Sequence, residues 1–92
     1  MEIKYDEMSE QTGNVCVELA ALRQSISPIW LYGLPQASRI DLYCVFLKDL
    51  TPYAEGHPNK RLVGEFRVPA ALIRKDEFTR QSFIKHFKTI DI

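Results

Sequence analysis

The chain has 92 residues, 46% hydrophobic and 26% charged, with four Gly and five Pro; this fits one domain and excludes collagen-like, coiled-coil and wholly disordered architectures. Twelve Lys and Arg cancel twelve Asp and Glu, and two cysteines, Cys16 and Cys44, are too few for a disulfide scaffold, so both are read as buried thiols. No apolar run nears the ~20 residues of a membrane helix, and the opening MEIKYDEMSE is too polar for a secretory signal, so a cytoplasmic protein without a membrane partner is expected.

Residues 2–5 (EIKY) read as a short extended segment. A polar stretch from Asp6 ends in Thr12-Gly13-Asn14, where Gly and Asn supply turn chemistry. Val15, Val17 and Leu19 then alternate with Cys16 and Glu18, which favours a strand, with a helix over ELAALR as the alternative. Ser25, Ser27 and Pro28 mark a loop. Residues 29–34 and 40–46 are rich in β-favouring types and flank PQAS, so a hairpin is predicted. Ile40, Leu42, Cys44 and Phe46 take one face of its second strand, and Asp41, Tyr43 and Val45 the other. Leu47, Leu50 and Ala54 repeat at three and four residues, which predicts a short helix ending near Gly56, followed by a turn at HPNK with His57 exposed. Residues 61–66 and 70–74 read as further short strands. In DEFTRQSFIKHFKTI, Phe83, Ile84, Phe87 and Ile90 form one stripe, with Asp76 as N-cap and His86 packed between Phe83 and Phe87: an amphipathic C-terminal helix. The expected fold is a single α+β domain over 1–92, with a small, mostly antiparallel sheet, one short middle helix and that C-terminal helix.

Charge is segregated. Residues 1–20 carry Glu2, Asp6, Glu7, Glu10 and Glu18 against Lys4 alone, whereas residues 60–92 carry eight bases against four acids. Mutual neutralisation of two packed halves is the plain explanation; an acidic, cation-binding site beside a basic surface that grips phosphate is the sharper alternative.

Two constellations carry chemistry. In Glu2-Ile3-Lys4, residues two apart on a strand share a side, so a carboxylate that can bind Mg²⁺ emerges beside an ammonium that can steady a phosphate. A surface ion pair is the plain alternative. In Thr12-Gly13-Asn14 with Glu18, two hydrogen-bonding side chains flank a residue that permits close approach; a capped turn entering a strand is the plain alternative. Two His and two Cys lack zinc spacing, and no phosphate-cradling Gly loop is present. Trp30, Tyr32 and Tyr43 are of the type that stacks on bases, though Trp30 reads as core.

The ordered string Glu2-x-Lys4-x-Asp6, then Ser9-x-x-Thr12-Gly13-Asn14-x-x-x-Glu18, resembles part of the PD-(D/E)XK, or restriction-endonuclease-like, nuclease superfamily, over about residues 2–55. The resemblance implies Glu2 as a metal-binding carboxylate, the Ile3 carbonyl in the metal shell, and Lys4 and Glu18 as catalytic groups. It implies that Thr12 and Asn14 hold the site loop or the substrate backbone. The superfamily's other metal-binding Asp lies on a strand before E-x-K, and no such strand precedes Glu2 here. Asp6 is an untested stand-in; otherwise the chain is the C-terminal part of a larger nuclease core, or a second copy or another chain completes the site, or the protein is a relative that binds without cutting.

The expected function is therefore a nuclease-like DNA-binding module, a Mg-dependent hydrolase of phosphodiesters where the site is completed. Arg74, Lys75, Arg80, Lys85 and Lys88 are expected to form a basic groove near Glu2 and Lys4. The alternatives are a small phage-type protein-binding inhibitor of a nucleic-acid-handling enzyme, and a plain interaction domain that dimerises through a strand edge.

Overall fold

The computed structural model describes residues 1–92 and has an α+β fold with seven strands and four short helices. β1 (Glu2–Tyr5) leads to α1 (Ser9–Thr12), β2 (Asn14–Glu18) and α2 (Leu19–Gln24). β3 (Ile29–Gln36) and β4 (Arg39–Phe46) form a hairpin, followed by α3 (Leu47–Glu55), β5 (Lys60–Val63), β6 (Val68–Arg74), α4 (Lys75–Arg80) and β7 (Lys85–Asp91).

The strands form two sheets. One has the order β1-β3-β4-β7, the other β2-β6-β5. All pairings are antiparallel except β1 with β3. Parallel neighbours cannot be joined by a tight turn and need a crossover of about a dozen residues or more. Here α1, β2 and α2 make that crossover, and the excursion delivers β2 to the second sheet. Gly13 turns α1 into β2: its φ of +75° is the left-handed C-cap for which Gly carries no Cβ penalty.

The core lies between the inner face of the four-stranded sheet and the layer made by the second sheet and the helices. Trp30, Tyr32, Leu34 and Val45 from the first meet Val15, Val17, Ala71 and Ile73 from the second, with Leu22, Leu50 and Phe78 from helices. Burying a large apolar side chain of this kind stabilises by about 1.5–3 kcal/mol. β2 shows how the pattern is used: Val15 and Val17 are fully buried, while Asn14, Cys16 and Glu18 alternate with them.

The hairpin, the α3 helix stopping at Gly56 and a strand over residues 70–74 agree with the sequence pattern; the strand expected over 61–66 is cut short at Val63, because residues 64–67 form the turn that pairs Val63 with Val68. At β2–α2 both readings apply in turn, strand to Glu18 and helix from Leu19. Several expectations are corrected. There are two sheets, not one. The hairpin turn is confined to Ala37 and Ser38, because Pro35 and Gln36 still pair with Ile40 and Arg39.

The C-terminal helix stops at Arg80, and residues 85–91 form a strand on β4. A single unsupported amphipathic helix is marginal, whereas β4 offers a free edge to a segment containing Phe87, Thr89 and Ile90, all β-favouring types. Asp76 consequently lies in the first turn of α4, whose N-cap is Arg74. His86 is exposed on β7, edge-on to Tyr43, not packed within a helix. His57 is 8% exposed, not a free turn residue. Cys16 and Cys44 are free and half-buried.

Candidate functional site

β1 is the edge strand of the larger sheet, and its alternation is inverted: Ile3 and Tyr5 face solvent while Glu2 and Lys4 are half-buried. Glu2 pairs in register with Trp30 and Lys4 with Tyr32, so both side chains lie on the core-facing side of the sheet. The Lys4 ammonium is 2.7 Å from a Glu2 carboxylate oxygen and 4.9 Å above the centre of the Trp30 ring. The Ser25 hydroxyl donates to the other Glu2 oxygen at 3.0 Å and accepts from the Trp30 indole N–H at 3.0 Å. The lysine and serine contacts hold the Glu2 carboxyl below its ordinary value.

Beyond Lys4 opens a cavity of about 630 Å³. Lys4 and Asp6 stand on one side, Thr12 of α1 and Asn14, Cys16 and Glu18 of β2 on another, and Trp30 and Tyr32 at its wall. Asp6 anchors β2: its carboxylate accepts the Cys16 backbone N–H at 2.7 Å. Burial, followed by the carboxylates of Asp6 and Glu18, pushes the Cys16 thiol up to about 11. Burial likewise raises the Tyr32 phenol far above its usual range. Both groups are therefore neutral near pH 7.

A second, more polar cavity of about 560 Å³ adjoins the first, with Thr12 and Asn14 lining both. Arg74, Lys75 and Gln36 line it, together with Tyr43 and Thr79. Lys75 reaches the Gln36 side-chain carbonyl at 3.4 Å, and Arg74 is the register partner of Asn14.

Lys4, Thr12, Asn14 and Glu18, singled out in the sequence, thus converge on one cavity, with Glu2 at its margin, and Arg74 and Lys75 converge on its neighbour. The expected single basic groove is not formed. Arg74 and Arg80 each lie 3.2 Å from Asp76, which offsets their charge. Lys85 and Lys88 are on β7, at the opposite sheet edge from β1. Three strand spacings separate those edges, roughly 14 Å.

For a divalent cation the donor set is partial. No three Asp, Glu, His or Cys side chains stand together as a metal-holding group. Glu2 is engaged by Lys4 and Ser25, and Asp6 by the β2 backbone. Mg²⁺ demands near-octahedral oxygen ligation, and Glu2 with the Ile3 carbonyl supplies too little of it, so these residues do not by themselves fit the ion.

Sequence reasoning passed over Cys16, Gln36 and Thr79. The period-two alternation of β2 already placed Cys16 between Asn14 and Glu18; Gln36 and Thr79 had no local signal, since only the packing of the two sheets brings them near Thr12. Comparisons with protein-family models, with curated proteins and with solved structures found no match.

Proposed function

We propose that this chain is a nuclease-fold relative that binds DNA at the two adjoining cavities, and that it hydrolyses phosphodiesters with Mg²⁺ only when a second copy or another chain adds the missing carboxylate. One observation carries the reading: Lys4, Thr12, Asn14 and Glu18, dispersed along the chain, line a single cavity. Lys75 beside Asn14 and Thr12 provides a cation and hydrogen-bonding groups of the kind that position a phosphate backbone, while Arg74 is paired with Asp76 in the same cavity. The incomplete donor set supports binding over autonomous cutting.

The test is fluorescence anisotropy of a labelled duplex across a salt series, with and without Mg²⁺, followed by electrophoresis of the same samples. Affinity is expected to fall steeply with salt, and Lys75→Ala to reduce the logarithmic salt slope by about 1. Glu2→Ala and Lys4→Ala are expected to abolish any cutting while leaving the fold intact. Absence of salt-dependent binding at low ionic strength sinks the reading and favours the small protein-binding inhibitor.

A further inference from the structure

The side of the four-stranded sheet that faces away from the core is apolar, and no helix of this fold covers it. Alternation puts Ile3 and Tyr5 on that side, with Leu31 from β3 and Ile40, Leu42 and Cys44 from β4. The side chains form an ordered layer. A Cβ on Gly33 would stand 3.2 Å from the Tyr5 ring and 3.4 and 3.5 Å from Leu42 and Ile40, so the missing side chain is what admits the ring. Leu31 is buried in this layer although it lies outside the core cluster. Around it Ile3, Tyr5, Phe46 and Ile90 remain 68, 53, 48 and 41% exposed. Single exposed apolar residues are ordinary; a contiguous apolar sheet face is not.

We propose that this face packs on the same face of a second copy of the chain, sheet on sheet, about a two-fold axis. The area fits a weak, concentration-dependent dimer. Strands of four, eight, eight and seven residues, at about 3.3 Å rise and about 4.8 Å spacing, give a flat footprint of about 430 Å² per copy, and about 860 Å² over two copies falls in the range of weak, transient contacts. The chemistry is self-complementary: an apolar centre needs no opposite charge on its partner, and an isologous contact sets a patch against itself. Lys88 opposite Leu42 and Lys85 opposite Cys44 supply a charged rim along β7. The zero net charge of the chain leaves no long-range repulsion between copies.

Glu2 and Lys4 point to the other side of β1. Of the face residues only Tyr5 also lines a cavity, so the pairing adds no carboxylate there, and the Ile3 and Ile90 variants separate dimerisation from DNA binding.

Sedimentation velocity of the full chain from low to high micromolar concentration tests the proposal. The wild type is expected to reach twice the chain mass of 10.7 kDa. The Ile3→Lys/Ile90→Lys variant is expected to stay at the monomer mass with unchanged circular dichroism. Phe66→Lys, at an 86% exposed position in the β5–β6 turn, is expected to dimerise like the wild type. Tyr5→Lys, also on the exposed edge strand, repeats the test if the double variant loses its fold. A wild type that is monomeric throughout overturns the proposal, whether or not it then binds another protein, and so does a dimer that survives both face variants.

Discussion

The Lys4 ammonium sits 4.9 Å above the Trp30 ring while its other side meets Glu2 at 2.7 Å, so one cation ties the edge strand to the core indole. A half-exposed contact of this type stabilises by about 0.5–1 kcal/mol. Trp30 is the sole tryptophan, so its fluorescence isolates the contact. Lys4→Met is expected to change the native emission intensity, leave far-UV circular dichroism unchanged and lower stability by at most about 1 kcal/mol. Identical native spectra in the two proteins would contradict the stacking.

Ser25 is the hinge of the same network, accepting from Trp30 and donating to Glu2. Ser25→Ala leaves an indole N–H with no acceptor in the protein, and an unsatisfied buried donor costs about 1–3 kcal/mol. Chemical denaturation followed by Trp30 emission is expected to show a loss in that range, with an unchanged denaturant slope. A variant as stable as the wild type would show that solvent replaces the hydroxyl.

Ala37, the first residue of the hairpin turn, adopts φ of +54°. An L-residue with a Cβ is strained there by about 1–2 kcal/mol, and Gly is not. The gain from Ala37→Gly is partly offset because Gly is more flexible in the unfolded chain. A net stabilisation of about 1 kcal/mol follows, or about 4–8 °C in melting temperature for a domain of this size. An unchanged or lowered melting temperature would contradict it.

Asp41 is 8% exposed on the core side of β4. The Thr89 hydroxyl, donating at 2.7 Å, is the largest influence holding its carboxyl below the ordinary value; Arg39 and His86 add to it and burial opposes it. A depressed folded pKa means the carboxylate stabilises the fold above its unfolded pKa. That contribution disappears as pH falls through the lower folded value. The stability gap between wild type and Asp41→Asn is therefore expected to be constant near neutrality and to shrink below about pH 4. A gap independent of pH down to acid unfolding would rule this out.

Cys16 follows the opposite sign. Its thiol is pushed up to about 11 from 9.0, so above pH 9 the unfolded chain loses the proton first and stability falls as pH rises towards 11. At pH 8 the scarce thiolate makes native Cys16 slow to alkylate. Mass spectrometry after a timed iodoacetamide pulse is expected to show slow Cys16 labelling that accelerates on unfolding, and modest acceleration in Glu18→Gln. Rapid labelling of the native thiol would contradict this environment.

Another, partly buried arrangement shows what local sequence withholds. Tyr53 and His57 both donate to one carboxylate oxygen of Glu77, His57 at 3.0 Å, while the Asn59 backbone N–H donates to the opposite ring nitrogen. This joins the end of α3 to α4 and explains the burial of His57. Nothing near G-H-P identifies Glu77, twenty positions away, as its partner.

Wherever backbone and side chains answer to near neighbours, the sequence was decisive on its own. The β-hairpin, α3 with its stop at Gly56, the left-handed turn at Gly13 and the shared side of Glu2 and Lys4 follow from alternation, helical spacing and Gly geometry. The buried alternation of Val15 and Val17 likewise presents Asn14, Cys16 and Glu18 to the cavity. Tertiary structure decided the rest. Residues 85–91 became a strand because β4 held an open edge whose hydrogen bonds outweigh those of a lone helix. Pairing of β1 with β3 brought Lys4 to Trp30, and the second sheet brought Arg74 and Lys75 to Asn14. It also carried Lys85 and Lys88 away to the far edge and left Ile3 and Tyr5 on an uncovered face. Such contacts join residues distant in the chain, so their free energy exists only once the sheets have packed, and no local pattern encodes it.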